Sequence, residues 1–139
     1  MAASRTRLIS DELVAIIGDN EYVTKATDKP LVPLAQETED VAAYIAIADV
    51  VPEVKRQGVS QGSYDRTAFV NIYVNVDHAD HMHVFDVADS IERSILDDTP
   101  LWTYIIDRDV VNITFDDGQY LPKRIVTLTL EVTFKLSCT

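Results

Sequence analysis

The chain has 139 residues, close to the commonest domain size, and 47% of them are apolar. That content excludes disorder for most of its length and suffices for a buried core without disulfide or metal staples. No apolar run approaches the roughly 18–20 residues of a membrane-spanning helix, and a formal charge of −11, from 23 acidic and 12 basic residues, opposes sequence-specific binding to a phosphate backbone. One domain spanning residues 1–139 is expected. The lone cysteine, Cys138, permits no intramolecular disulfide and fits a reducing compartment. The apolar stretch after Arg5 and Arg7 is broken by Ser10, Asp11 and Glu12, unlike a secretory signal, so no targeting segment is expected.

The first element is a one-sided helix over Ser4 to Ile17. Ile9, Leu13, Ile16 and Ile17 recur at helical spacing, and Gly18 offers the left-handed conformation that often ends helices. Asn20 to Asp40 contains Pro30 and Pro33 among polar residues and reads as an extended connection. Val41 to Val51 is a largely apolar strand, in which Tyr44, Ile45 and Ala46 read as buried on both faces or nearly so. Pro52 to Asp65 carries Gly58, Gly62 and the basic pair Lys55 and Arg56, and reads as a long loop of the kind that has a job. Arg66 to Val76 alternates, with Ala68, Val70, Ile72, Val74 and Val76 on one face and Thr67, Phe69, Asn71, Tyr73 and Asn75 on the other. The two strands make a hairpin.

Asp77 is a plausible N-cap for a helix over Ala79 to Asp97, whose Val84, Ala88, Ile91 and Ile95 form an apolar stripe flanked by Phe85 and Val87. Leu101 to Ile106, with Trp102, reads as a further helical turn or an apolar plug. Val111, Ile113 and Phe115 then alternate, Asp117 and Gly118 signal a tight turn, and Arg124 to Ser137 closes the chain. In that strand Val126, Leu128, Leu130, Val132, Phe134 and Leu136 point one way, and Thr127, Thr129, Glu131, Thr133 and Lys135 the other. The expected fold is α+β, in the order αββαββ, with a mainly antiparallel four-stranded sheet of two hairpins and both helices on one face.

Catalytic chemistry is not visible. There is no phosphate-cradling glycine loop, no nucleophile elbow and no cysteine placed for catalysis, so neither an enzyme nor a cofactor is expected. His78, Asp80, His81 and His83 form the one cluster of potential metal ligands, but their spacing matches no strong zinc motif, and solvent-facing neutral histidines are the simpler reading. A small metal- or ligand-binding domain built on that cluster is the alternative from another functional class. Asp97 with Asp98 and Asp116 with Asp117 are paired acids at element boundaries, where caps and turns account for them. Lys55, Arg56 and Tyr64 on and beside the long loop, with Arg66, Phe69 and Tyr73 on the strand it feeds, are the candidate interface residues.

The layout resembles the tail terminator proteins of long-tailed bacteriophages, the lambda-type minor tail protein U group. The features that carry it are the N-terminal helix, the proline-bearing link, the strand Val41-Ala42-Ala43-Tyr44-Ile45-Ala46 and the long loop. The strand Phe69 to Val76, the helix, the Pro100-Leu101-Trp102 restart and the closing Leu128-Thr129-Leu130-Glu131-Val132-Thr133-Phe134 follow in the same order. The resemblance implies a structural virion protein: a homo-oligomeric ring, six subunits in the family, that caps the tail tube, ends its polymerisation and joins the head-tail connector. Its place would be the head-proximal end of the tail, after assembly in the host cytoplasm, with no membrane partner. DNA would pass through the ring without sequence-specific binding, and Asp97, Asp98, Asp116 and Asp117 are the acids expected to face that channel. A head-to-tail connector or tail-completion protein is the neighbouring possibility.

Overall fold

A computed structural model describes residues 4–29, 41–52, 64–77, 81–97, 105–116 and 123–136. Two helices, α1 (Arg5–Gly18) and α2 (His81–Asp97), accompany five strands: β1 (Lys25–Thr27), β2 (Val41–Pro52), β3 (Tyr64–Asp77), β4 (Ile105–Phe115) and β5 (Lys123–Leu136). The strands form one sheet in the order β1-β2-β3-β5-β4. The fold is α+β, but the expectation of four antiparallel strands is wrong. The connection after α1 contains β1, which pairs in parallel with β2 through Lys25↔Ala42, Ala26↔Ala43 and Thr27↔Tyr44, so the sheet is mixed.

Side-chain chemistry at one residue starts this extra strand. The Thr24 amide and hydroxyl both donate to the Val41 carbonyl, at 2.9 and 3.0 Å, and the Val41 amide donates to Thr24 Oγ1 at 3.1 Å. Three residues are too few to display a period of two, which is why the pattern of the sequence does not announce them.

The core follows from alternation in the two central strands. β3 and β5 pair without a shift from Tyr64↔Leu136 to Asp77↔Lys123, so Ala68, Val70, Ile72 and Val74 lie directly beside Val132, Leu130, Leu128 and Val126. All eight side chains are fully buried. The helices cover this face. Ile9, Leu13, Ile16 and Ile17 of α1 and Val84, Val87, Ala88, Ile91 and Ile95 of α2 join the same apolar cluster as the inward strand residues.

Ser4 caps α1 by accepting the Arg7 amide at 3.1 Å. The helix does not end through a left-handed glycine, as the sequence suggests. Gly18 is its last residue, and the C-cap is Asp19 in ordinary right-handed geometry at φ −83°. A Cβ at Gly18 would lie 3.7 Å from the Ala26 Cβ, so the residue sits close against β1. Just beyond, Asn20 fastens the two helices together: its Nδ2 donates to Ser90 Oγ and Ser94 Oγ of α2, both at 2.9 Å, and its Oδ1 accepts the Tyr22 amide at 2.9 Å. At its own C-terminus α2 ends in acid without a base in the last turn, but Arg108 of β4 donates through Nη2 to the Leu96 carbonyl at 2.7 Å. A cation at that position is favourable to the helix dipole.

β4 departs from its apparent pattern. The alternation Val111, Ile113, Phe115 predicts three inward residues, but the register with β5 shifts between Val110 and Asn112. Val110 pairs with Leu130, Ile113 with Leu128 and Phe115 with Val126, so Val110 takes the core place and Val111, in the bulge, is 49% exposed. Phe115 meets Phe85 of α2 edge to face, with ring centroids 4.8 Å apart.

Candidate functional site

Both helices lie on the apolar face; among the described residues no helix or strand packs on the other face, which is exposed at its margins but buries Ala42, Tyr44, Thr67 and Asn75. Strand registers organise that open face into cross-strand rows. Tyr44, Tyr73, Thr127 and Thr114 form one, and Ala46, Asn71, Thr129 and Asn112 the next. The third is Asp49, Phe69, Glu131 and Asp109, and the fourth Val51, Thr67, Thr133 and Asp107. A β-bulge between Ile47 and Asp49 turns Asp49 to this face.

The middle of the face is a polar lattice. Thr129 Oγ1 donates to Asn71 Oδ1 at 3.3 Å, Asn71 Nδ2 donates to the Tyr73 hydroxyl at 3.3 Å, and Asn112 Nδ2 donates to Thr114 Oγ1 at 3.2 Å. The Thr67 and Thr133 hydroxyls lie 3.4 Å apart. Asp49, Asp107 and Asp109 are exposed at its margins, with Glu131 half-buried between Phe69 and Asp109. No basic side chain stands in these four rows. Within these rows the hydroxyls and amides are largely occupied with one another, and the nearest lysine positions of the same face, Lys25 and Lys135, lie in the rows beyond.

The sequence-predicted site residues distribute unevenly over this geometry. Phe69 and Tyr73 stand half-buried on the other face, whereas Arg66 shares the inward side of β3 with Ala68 and Val70 and pairs with the buried Phe134 of β5. Tyr64 begins β3, and its side chain lies outside what the structure describes, as do Lys55 and Arg56 altogether. Of the four expected channel acids, Asp98 and Asp117 fall outside the described residues, and Asp97 is exposed at the end of α2, on the helix side of the sheet. Asp116 is not a free acid. Its Oδ1 accepts Arg124 Nε at 2.7 Å and its carbonyl accepts Arg124 Nη2 at 2.9 Å, with the two side chains 7% and 12% exposed. The acids that do share a surface come from three strands, Asp49 from β2, Asp107 and Asp109 from β4 and Glu131 from β5, and no two of them are adjacent in the sequence.

Among the described residues no three His, Cys, Asp or Glu side chains are arranged to hold a metal ion. The histidine cluster falls outside that statement, because His78 and Asp80 and the side chains of His81 and His83 are not described. No described helix is long and apolar enough to cross a membrane. An open groove of about 540 Å³ lies between α1 and α2, lined by Ile16, Asp19, Glu21, Ser90, Arg93, Ser94 and Asp97. Two of its lining residues, Ser90 and Ser94, accept the bonds from Asn20 Nδ2.

No protein-family model matches the sequence, and no curated protein does. A chain in the solved virion of a native gene transfer agent particle has a similar fold, with a TM-score of 0.51 and 16% sequence identity. The match covers 88% of this chain and 84% of that chain. At that identity the likeness is one of fold.

Proposed function

We propose that this chain is a structural virion protein that closes into a ring on the head-proximal end of a tail tube, ends tube polymerisation and joins the tail to the head connector. The observation that carries the proposal is the fold shared with a chain of a gene transfer agent virion over 88% of this chain's length. The order of elements in the sequence resembles the tail terminators independently of that match. Partners are then further copies of the same chain, the tube protein and the connector, and the role is architectural rather than catalytic.

The open sheet face suits the channel side of such a ring. DNA sliding through needs a wall that does not hold it, and phosphate retention depends on Lys and Arg displacing counterions. A wall of paired threonine and asparagine with Asp49, Asp109 and Glu131 supplies the opposite charge. In place of the acid pairs marked by the sequence, these acids are the channel residues of the proposal. Asp97, on the helix side, cannot line the same wall, and Asp116 is occupied by Arg124.

Negative-stain electron microscopy tests the assembly. Closed rings with a central hole are expected, either from the purified chain alone or once the tube protein is added. Monomers under both conditions would reject a terminator.

A further inference from the structure

β4 is the last strand of the sheet, and among the described residues nothing pairs with its outer side. Its second half, Val110 to Phe115, reads Val-Val-Asn-Ile-Thr-Phe, a run without charge, proline or glycine and rich in β-branched and aromatic side chains. Such a run on an open edge is a template for a further strand, because its outward main-chain donors and acceptors are already aligned. Val111 is 49% exposed, and Asn112 and Thr114 are exposed beside it.

Backbone and charge both oppose that pairing. The register shift between Val110 and Asn112 leaves Val111 as an extra residue and breaks the even row that an incoming strand would need. A second shift, between Ile105 and Asp107, does the same ahead of it. Acids flank the run, Asp107 and Asp109 on one side and Asp116 on the other. A second copy pairing in parallel register would set Asp107 and Asp109 against their own counterparts, and an antiparallel copy over Val110 to Phe115 would set Asp109 against Asp116. Like charges directly opposite destabilise a strand pair.

The far end of the sheet is built alike. Past the residues that pair with β1, β2 shifts register between Ile47 and Asp49, exposes Asp49 and ends at Pro52. β3 and β5, with neighbours on both sides, pair without a shift. The irregularities lie where a strand could be added, which is where they block addition.

We infer that the outer edge of β4 is a latent strand-pairing surface for a second copy of this chain, held closed by its bulges and by Asp107 and Asp109. The inference does not depend on the ring proposed above.

Neutralising the acids tests it. Asp107→Asn with Asp109→Asn removes the charges and keeps the shape, including the Oδ1 of residue 107 that accepts the Arg108 amide at 2.9 Å. Asp86→Asn with Asp89→Asn, at exposed positions of α2, makes the same change in net charge away from the edge. Circular dichroism verifies that both are folded. In analytical ultracentrifugation the edge variant should associate at about tenfold lower concentration than the unaltered chain, and the α2 variant should not. Hydrogen exchange should slow across Val110 to Phe115 in the associated edge variant, and adding Val111→Lys to it should restore the original behaviour. An edge variant that associates no more readily than the α2 variant, or that associates without protecting this run, would overturn the inference and leave the ring untouched.

Discussion

Leu130→Ala should cost about 2–5 kcal/mol of stability, because it opens a cavity at the centre of the sheet. Leu130 is fully buried on β5, with Val70 of β3 on one side and Val110 of β4 on the other. A domain of this size is stable by only about 5–15 kcal/mol, so the loss is a large fraction of the total. Thr129, the preceding residue, faces the opposite way and is half-buried, and its hydroxyl makes a 3.3 Å bond to Asn71. Thr129→Ala should cost about 1 kcal/mol or less. Urea denaturation reads the difference as a large fall in midpoint for the first variant and a small one for the second, at unchanged slope. Equal losses would mean that the strand does not alternate between a core and an open face.

Arg124→Ala should be comparably severe, by about 3–5 kcal/mol, for an electrostatic reason. The substitution strips the Asp116 carboxylate of its Arg124 bond, and Asp116 Oδ2 is already buried without a hydrogen-bond partner. It also removes the donor to the Asp116 carbonyl, and so loosens the end of β4 where it leaves the sheet. The pair Arg124→Met with Asp116→Leu should recover much of the loss, since a buried ion pair replaced by apolar groups of similar volume is often nearly neutral. A double-mutant cycle in urea measures the coupling. A single-variant loss below about 1 kcal/mol would mean that water reaches the pair and solvates the orphaned carboxylate.

What the sequence makes legible follows from how local each signal is. The alternation of β5 can be read by eye because one face of its sheet is open, so polar and apolar residues sort by a period of two. The α2 stripe of Val84, Ala88, Ile91 and Ile95 is equally local, and all four residues are buried. Features that depend on distant partners stay hidden. β1 exists because Thr24 bonds to Val41, 17 positions away, and Asn20 reaches Ser90 and Ser94 over 70 and 74 positions. At Val111 the hydrophobic pattern is intact but misleading, because a bulge shifts the register and gives the inward place to Val110.

The candidate site shows the same limit. Neighbouring acids such as Asp97 with Asp98, or Asp116 with Asp117, stand out in a linear sequence because they are adjacent. Asp98 and Asp117 lie outside the described residues, and Asp116 is committed to Arg124. The acids that share a face, Asp49, Asp109 and Glu131, are brought into one row by pairing among β2, β3, β5 and β4, which only the register specifies. Two members of that row can be read in the sequence, Phe69 as one of two aromatic residues on the polar side of its strand and Glu131 on the polar side of β5.

The role proposed for the chain can be tested on growing tubes. Tail-tube protein of the same particle is allowed to polymerise, the purified chain is added part-way, and tube lengths and ends are followed by electron microscopy. Elongation should stop on addition, with a ring visible at one end of each tube. Tubes that continue to lengthen at the same rate, with the chain absent from their ends, would contradict the account.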